Sequence, residues 1–272
     1  MKKLLCMFLV GILLLSIGSL TMVSAQPSQM AKESALLKIL EKNLLRVGIS
    51  TTAPPWGYLD DKYEHVGFDV DMARLMAEQL EVELELVETM PVNRVPYLVT
   101  NKVDVMISSF GNTLQRATSV AFSKPYAPYT QVVLGKKDDV DLKNWTDTSG
   151  RKVALVKGGT DDVIFSRIAP EGTEIVRYES GADTLLALLQ GKVDAMTAGY
   201  TNAAFYVQEH PELEIKGDPF SRTFPCIGLP LGDQVWLNWV NLFIDQMLNQ
   251  GKIQELFEKH FKVPWTEIWP SY

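Results

Sequence analysis

The stretch Ser109 to Arg116, reading SFGNTLQR, places a guanidinium just past a short apolar run, Val103 to Ile107, that reads as a buried strand. A turn through Gly111 and Asn112 separates the two. A planar guanidinium can make two parallel charge-assisted hydrogen bonds to a carboxylate, a geometry that lysine does not reproduce. Ser109, Gly111 and Thr113 are small or hydroxylic and leave backbone N–H groups open to the same anion. The plainer alternatives are a surface or ion-paired Arg116 and a Thr113 that simply caps a helix.

A second polar stretch, KGGTDD at 157 to 162, follows another strand-like run. Gly159-Thr160 reads either as an ordinary strand-to-helix turn or as a helix start whose N–H groups receive an anion. Asp161 and Asp162 are the one candidate acid pair for catalysis, but a helix dipole lowers the pKa of first-turn acids. That is poor tuning for a general acid. His65, His210 and His260 are scattered, and no metal-spaced cluster, nucleophile elbow or phosphate loop is present. No catalytic residue, metal or cofactor is expected.

The elements that must position these residues alternate. LLRVGIS reads as a strand, APPW as a loop, YLDDKYEHVGF as a hairpin. Asp69 reads as the N-cap of a helix with apolar positions Val70, Ala73, Met76, Ala77 and Leu80. VELELV alternates as a half-covered strand, and Val95 to Leu98 suggests a short helix. The second half repeats this order: RKVALV, a helix over 161–168, TEIVRY, a helix over 182–189, then KVDAMTA. NKVDVMISS at 101 to 109 and GKVDAMTAG at 191 to 199 are an internal echo 90 residues apart. Alternation of this kind builds parallel sheets with helices on their faces, and the echo implies two similar lobes. Helices are expected over 33–42, 234–249 and 252–261, with crossings between lobes near Tyr126 to Lys136 and Phe224 to Leu229. In open parallel sheets ligands bind beyond the carboxyl ends of the strands. The loops STTAPPW, SFGNTLQR, KGGTDD and AGYTN would then face one cleft.

The first 25 residues read as a secretory signal peptide: Lys2 and Lys3, an apolar run from Leu4 to Val23, and small residues before Gln26. An uncleaved anchor is the alternative, but Ser16, Gly18, Ser19 and Thr21 fit cleavage near Ala25 better. Cys6 is too early for a lipoprotein cysteine, and its removal leaves Cys226 alone, so no internal disulfide is expected. The leader holds two of the 26 basic residues and none of the 33 acids, which leaves the mature chain at −9. That charge argues against nucleic acid or anionic lipid as partner.

VGFDVDMARLMAEQL, NRVPYLVTNKVDVMISSFGNTLQRATSVAFSKPY, KVALVKGGTDD, LLALLQGKVDAMTAG and GKIQELFEKHF, in this order, resemble the family 3 periplasmic solute-binding proteins. These are the polar amino acid receptors of ABC importers. The resemblance covers nearly all of the mature chain. It implies an α/β chain of two Rossmann-like lobes joined by two hinge strands, the type II periplasmic binding protein fold, closing on ligand. Lobe 1 would be 44–130 plus 229–272 and lobe 2 would be 131–228. It further implies that Arg116 forks onto a ligand carboxylate, with Ser109, Gly111, Thr113, Gly159 and Thr160 beside it. Trp56 falls where the family has an aromatic residue flanking the ligand; simple loop packing is the alternative. Arg94 faces the cleft or pairs with an acid under the loop. The implied protein is periplasmic and monomeric, and delivers a small carboxylate, an amino acid or relative, to a permease in the inner membrane.

Two departures stand out. The acids that receive the ligand ammonium in the family are replaced by Ser50 and Gly199. An ammonium buried without a counter-charge is costly. Either Asp161 or another acid supplies the charge, or the ligand lacks an α-amine, or its nitrogen stacks on Trp56 or Tyr200. Some relatives of this fold are cyclohexadienyl dehydratases, which is the enzyme alternative. A sensing module is a third reading, but the chain stops at Tyr272 without a following span, so a free receptor is expected.

Overall fold

A computed structural model describes residues 33–262 and 265, so the leader and Cys6 lie outside the described residues. Among those described, no helix is long and apolar enough to cross a membrane.

The first sheet is built around β1 (Leu44–Ile49), whose Leu45, Val47 and Ile49 are buried. It pairs in parallel with β5 (Glu83–Glu88) on one side and β6 (Val105–Met106) on the other. The antiparallel strands β14 (Cys226–Pro230) and β7 (Val120–Pro125) complete the order β5-β1-β6-β14-β7. Between β1 and β5 lie a small sheet of β2 (Thr52–Ala53), β3 (Gly57–Leu59) and β4 (His65–Val66), and then helix α2 (Phe68–Leu80). The hairpin expectation holds in β3 and β4. Helix α1 is Ala35–Lys42, α3 is Arg94–Val99 and α4 is Leu114–Ala117.

The second sheet repeats the plan around β9 (Lys152–Val156). It is parallel to β10 (Glu174–Tyr178) and β11 (Ala195–Gly199); β8 (Tyr129–Lys136) pairs antiparallel with β11, and β12 (Leu213–Ile215) antiparallel with β8. β13 (Ser221–Thr223) also pairs with β8. Helices α5 (Thr160–Ile168), α6 (Gly181–Leu189) and α7 (Tyr200–Glu209) connect these strands. Finally α8 (Gln234–Asn249) and α9 (Lys252–Phe261) return to the first sheet, where Trp236, Val240, Ile253 and Phe257 join the core of α2.

The internal echo has a physical basis. Asp104 Oδ2 accepts the Arg46 N–H at 2.8 Å, and Asp194 Oδ2 accepts the Lys152 N–H at 2.7 Å. Each aspartate returns its own N–H to the same residue's carbonyl. Lys-Val-Asp therefore locks the start of the third strand onto the first strand in both lobes. β6 spans two residues only, yet Asp104 N–H to Arg46 O and Ile107 N–H to Gly48 O extend its pairing on either side.

The crossings are shorter than expected. β8 belongs to the second sheet from Tyr129 onward, so the outward crossing is residues 126–128 and the return is residues 224–225. They run side by side, with Tyr126 N–H on Pro225 O at 3.1 Å. Asp69 is not the N-cap of α2. Gly67 holds that position, and Asp69 is turned inward by partners described below.

Candidate functional site

The carboxyl ends of the parallel strands in both sheets converge, as the topology requires. Ser50 follows β1, Ser109 lies beyond β6, Gly159 to Asp161 follow β9, and Thr197 to Gly199 end β11. Together they line an interlobe cavity of about 80 Å³. Gly159, Thr160, Asp161, Ser109, Arg94 and Gly199 all line this cavity. Arg116, Thr113, Gly111, Trp56 and Tyr200 are not on it.

Arg94 begins α3 and is 5% exposed. Its Nε has no hydrogen-bond partner among the described residues. Burial lowers its pKa, and the nearby groups Tyr129, Asp69, Tyr126 and Asp161 oppose that shift. It does not pair with an acid under the loop: Asp69 and Asp161 act on it through their charge, not as hydrogen-bond partners.

Asp161 enters from the other lobe at the first turn of α5 and is almost wholly buried. Its Oδ2 accepts from the Thr197 hydroxyl. A Cβ on Gly159 would lie 2.3 Å from Asp161 Oδ1, so only glycine lets this carboxyl fold back over the turn. Its pKa is raised, contrary to the helix-dipole expectation. Desolvation outweighs the Thr197 bond and the N–H groups of Asp161 and Asp162, which lower it.

Ser109 has φ 41°, a left-handed conformation that costs a serine strain. Asp69 holds it there: Oδ2 accepts the Ser109 N–H at 2.6 Å while Oδ1 accepts the Tyr126 hydroxyl at 2.7 Å. Burial pushes the Asp69 pKa up to about 7 against the lowering effect of those bonds and of Arg94.

Arg116 is buried at the seam between the lobes. Nη1 donates to Gly111 O at 2.7 Å and Thr160 Oγ1 at 2.9 Å, and Nη2 donates to Gly158 O at 3.0 Å. Burial and the neighbouring Arg94 charge bring its pKa down to about 9. Thr113 caps α4, accepting the Arg116 N–H, as the plainer alternative had it. Trp56 is a core residue, set edge-on to Phe68, Tyr129 and Phe261. Its Nε1 crosses to the Thr201 hydroxyl at 2.8 Å. Tyr200 is 43% exposed.

Sequence reasoning missed Tyr129, Gln131, Thr197 and Asn202, which also line the cavity. Gln131 Oε1 is buried without a partner among the described residues. Asn202 Nδ2 crosses to Pro54 O at 2.6 Å. The signal for Asn202 was available in AGYTN, already placed at a strand end. Tyr129 and Gln131 sit on β8, which read as a connector.

Residues 45–263 match the bacterial extracellular solute-binding proteins, family 3. The L-cystine-binding protein TcyJ of Escherichia coli K12 is 29% identical over 239 residues, spanning 87% of this chain and 90% of that one. A mutant of the arginine-binding protein ArgBP from T. maritima superposes with TM-score 0.79 at 33% identity, covering 84% of this chain and 99% of the other. An ancestral amino acid-binding protein, AncCDT-1, described as a precursor of cyclohexadienyl dehydratase, superposes with TM-score 0.78 at 31% identity over 84% and 100% of the two chains. The two-lobed architecture is therefore the type II periplasmic binding protein fold, and the chain belongs to the bacterial extracellular solute-binding proteins of family 3.

Proposed function

We propose that this chain is the exported receptor of an ABC importer and captures one amino acid between its lobes. The observation that carries this reading is an interlobe cavity lined by a buried guanidinium from one lobe and a buried carboxyl from the other. Opposite charges across a small cavity complement a zwitterion. Relatives named for cystine, glutamine and arginine support the class of ligand. Asp161 supplies the acid that Ser50 and Gly199 do not. The lobes close by rotation about the paired crossings at 126–128 and 224–225, and binding shifts the population towards closure. The receptor is a periplasmic monomer that delivers its ligand to a permease in the inner membrane.

One observation bears on the enzyme alternative: Asp161 is a buried acid of raised pKa, the usual mark of a general acid. Its engagement by Thr197 and by main-chain N–H groups favours a fixed ligand-holding role.

The test is a thermal-shift screen across amino acids, their 2-keto acids and their decarboxylated amines, with prephenate and arogenate assayed for turnover by ultraviolet absorbance. A ligand at one hundred times its Kd adds about 2.7 kcal/mol. In a protein of this size that raises Tm by about 5–10 °C. Shifts confined to amino acids support the reading. No shift with any amino acid, or turnover of either cyclohexadienyl acid, overturns it.

A further inference from the structure

Gln131 borders the interlobe cavity and is 1% exposed. Its main chain is engaged: β8 pairs it with Gly199 of β11 and Ser221 of β13, and its carbonyl accepts the Phe220 N–H at 2.9 Å. Its side chain is not. Oε1 is buried with no hydrogen-bond donor among the described residues. Gly199, directly opposite, has no side chain to offer one. Other polar groups of the wall are committed to protein acceptors: the Thr184 hydroxyl to Gly181 O at 2.7 Å, the Thr197 hydroxyl to Asp161, and Asn202 Nδ2 to Pro54 O at 2.6 Å. A buried amide oxygen without a donor is destabilising. In the open receptor water serves it. A ligand that closes the lobes displaces that water and must restore the bond or lose affinity.

Charge narrows the choice of donor. Among the described residues that line the cavity, Asp161 is the one carboxyl and Arg94 the one cation. Together they balance a zwitterion and leave nothing to balance a further charge on the ligand. The group that meets Gln131 is therefore neutral. A side-chain amide holds both an acceptor and two donors, so a second amide pairs with it through complementary hydrogen bonds in both directions. We propose that Gln131 reads the side chain of the bound amino acid, and that its partner is a carboxamide, as in L-glutamine or L-asparagine. This deepens the amino acid reading given above and rests on it. Asp161 answers the amine common to all amino acids and so does not discriminate among them; Gln131 does. An aliphatic side chain strands the buried amide, and a charged one adds a charge that no lining residue balances.

The experiment titrates L-glutamine, L-asparagine, L-methionine and L-arginine into wild type and Gln131→Met by calorimetry. L-Methionine approximates the length of L-glutamine and lacks its terminal amide. Wild type is expected to bind the better of the two amides roughly 5- to 150-fold more tightly than L-methionine, the effect of stranding one buried acceptor. L-Arginine is expected to bind more weakly than that amide. Gln131→Met, close to glutamine in volume, should lose the preference for the amide over L-methionine while its Tm without ligand stays at the wild-type value. A preference unchanged in Gln131→Met overturns the proposal. So does a variant of lowered Tm that binds all four ligands more weakly in equal measure, the mark of a merely structural residue. L-Methionine or L-arginine binding wild type at least as tightly as both amides overturns it too, and leaves the amino acid reading standing. That comparison needs no variant, so it decides the matter even where Gln131→Met does not fold. Binding of none of the four also overturns the proposal; the wider thermal-shift screen then separates this failure from that of the amino acid reading, which falls only when no amino acid raises Tm.

Discussion

Tyr129 lies so close over Gly199 that a Cβ on the glycine would sit 2.0 Å from the phenolic oxygen. Gly199 is also the N-cap of α7, with φ −65°. Aspartate is ordinarily favoured at an N-cap, and the backbone there accepts any residue. The phenol, not the backbone, keeps an acid out of the place where the family resemblance implies one.

Restoring that acid should therefore harm the protein. Gly199→Asp is expected to cost about 1–3 kcal/mol through overpacking. In a chain of this length that lowers Tm by about 2–12 °C. Thermal denaturation of the purified variant checks it. A variant as stable as wild type, with tighter amino acid binding, would show that Tyr129 yields and that the cavity is organised otherwise.

On the proposed function, the ammonium end falls to Asp161. Asp161→Asn keeps the shape and the Thr197 contact while removing the charge. A charge-assisted hydrogen bond contributes about 1.5–3 kcal/mol, so amino acid affinity should fall roughly 10- to 100-fold. Desamino analogues, the matching carboxylic acids, should bind the variant at least as well as they bind wild type. Calorimetry with both ligand series measures this. Equal losses for amino acids and their desamino analogues would remove Asp161 from the amine's contacts.

The main architecture was legible because it is written in local periodicity and in a repeated tripeptide. Lys-Val-Asp recurs at residues 102–104 and 192–194, since each aspartate must clasp the first strand of its own lobe. The α2 stripe ending at Leu80 was equally plain, because its spacing is that of one buried helix face. What could not be read depended on contacts between segments far apart in sequence. Asp69 carries a cap signature, but Ser109 and Tyr126, 40 and 57 residues away, claim its carboxyl. Tyr129 and Gln131 looked like connector residues. Nothing in their local pattern tells which face of β8 meets the second lobe's cavity. Trp56, after two prolines, gave no sign of whether it would flank a ligand or fill the core.

Asp69 also gives stability a pH dependence. Its pKa is about 7 in the folded protein against a model-peptide value near 3.8, so the folded state holds the proton more tightly. The contribution is fully present below about pH 4 and is lost as pH rises through 7. The loss is on the order of 4 kcal/mol over that interval. Urea unfolding of wild type and Asp69→Asn between pH 4.5 and 8 isolates it, because shared titrations cancel in the difference. The difference should shift in favour of the variant as pH rises. A difference independent of pH would mean that Asp69 is ionised throughout.

A crystal structure of the complex with whichever amino acid gives the largest thermal shift tests the central claim most directly. The amino acid should lie in the interlobe cavity with its amine about 2.7–3.2 Å from the Asp161 carboxyl. A ligand bound outside the cleft, or one whose amine is turned away from Asp161, would contradict it.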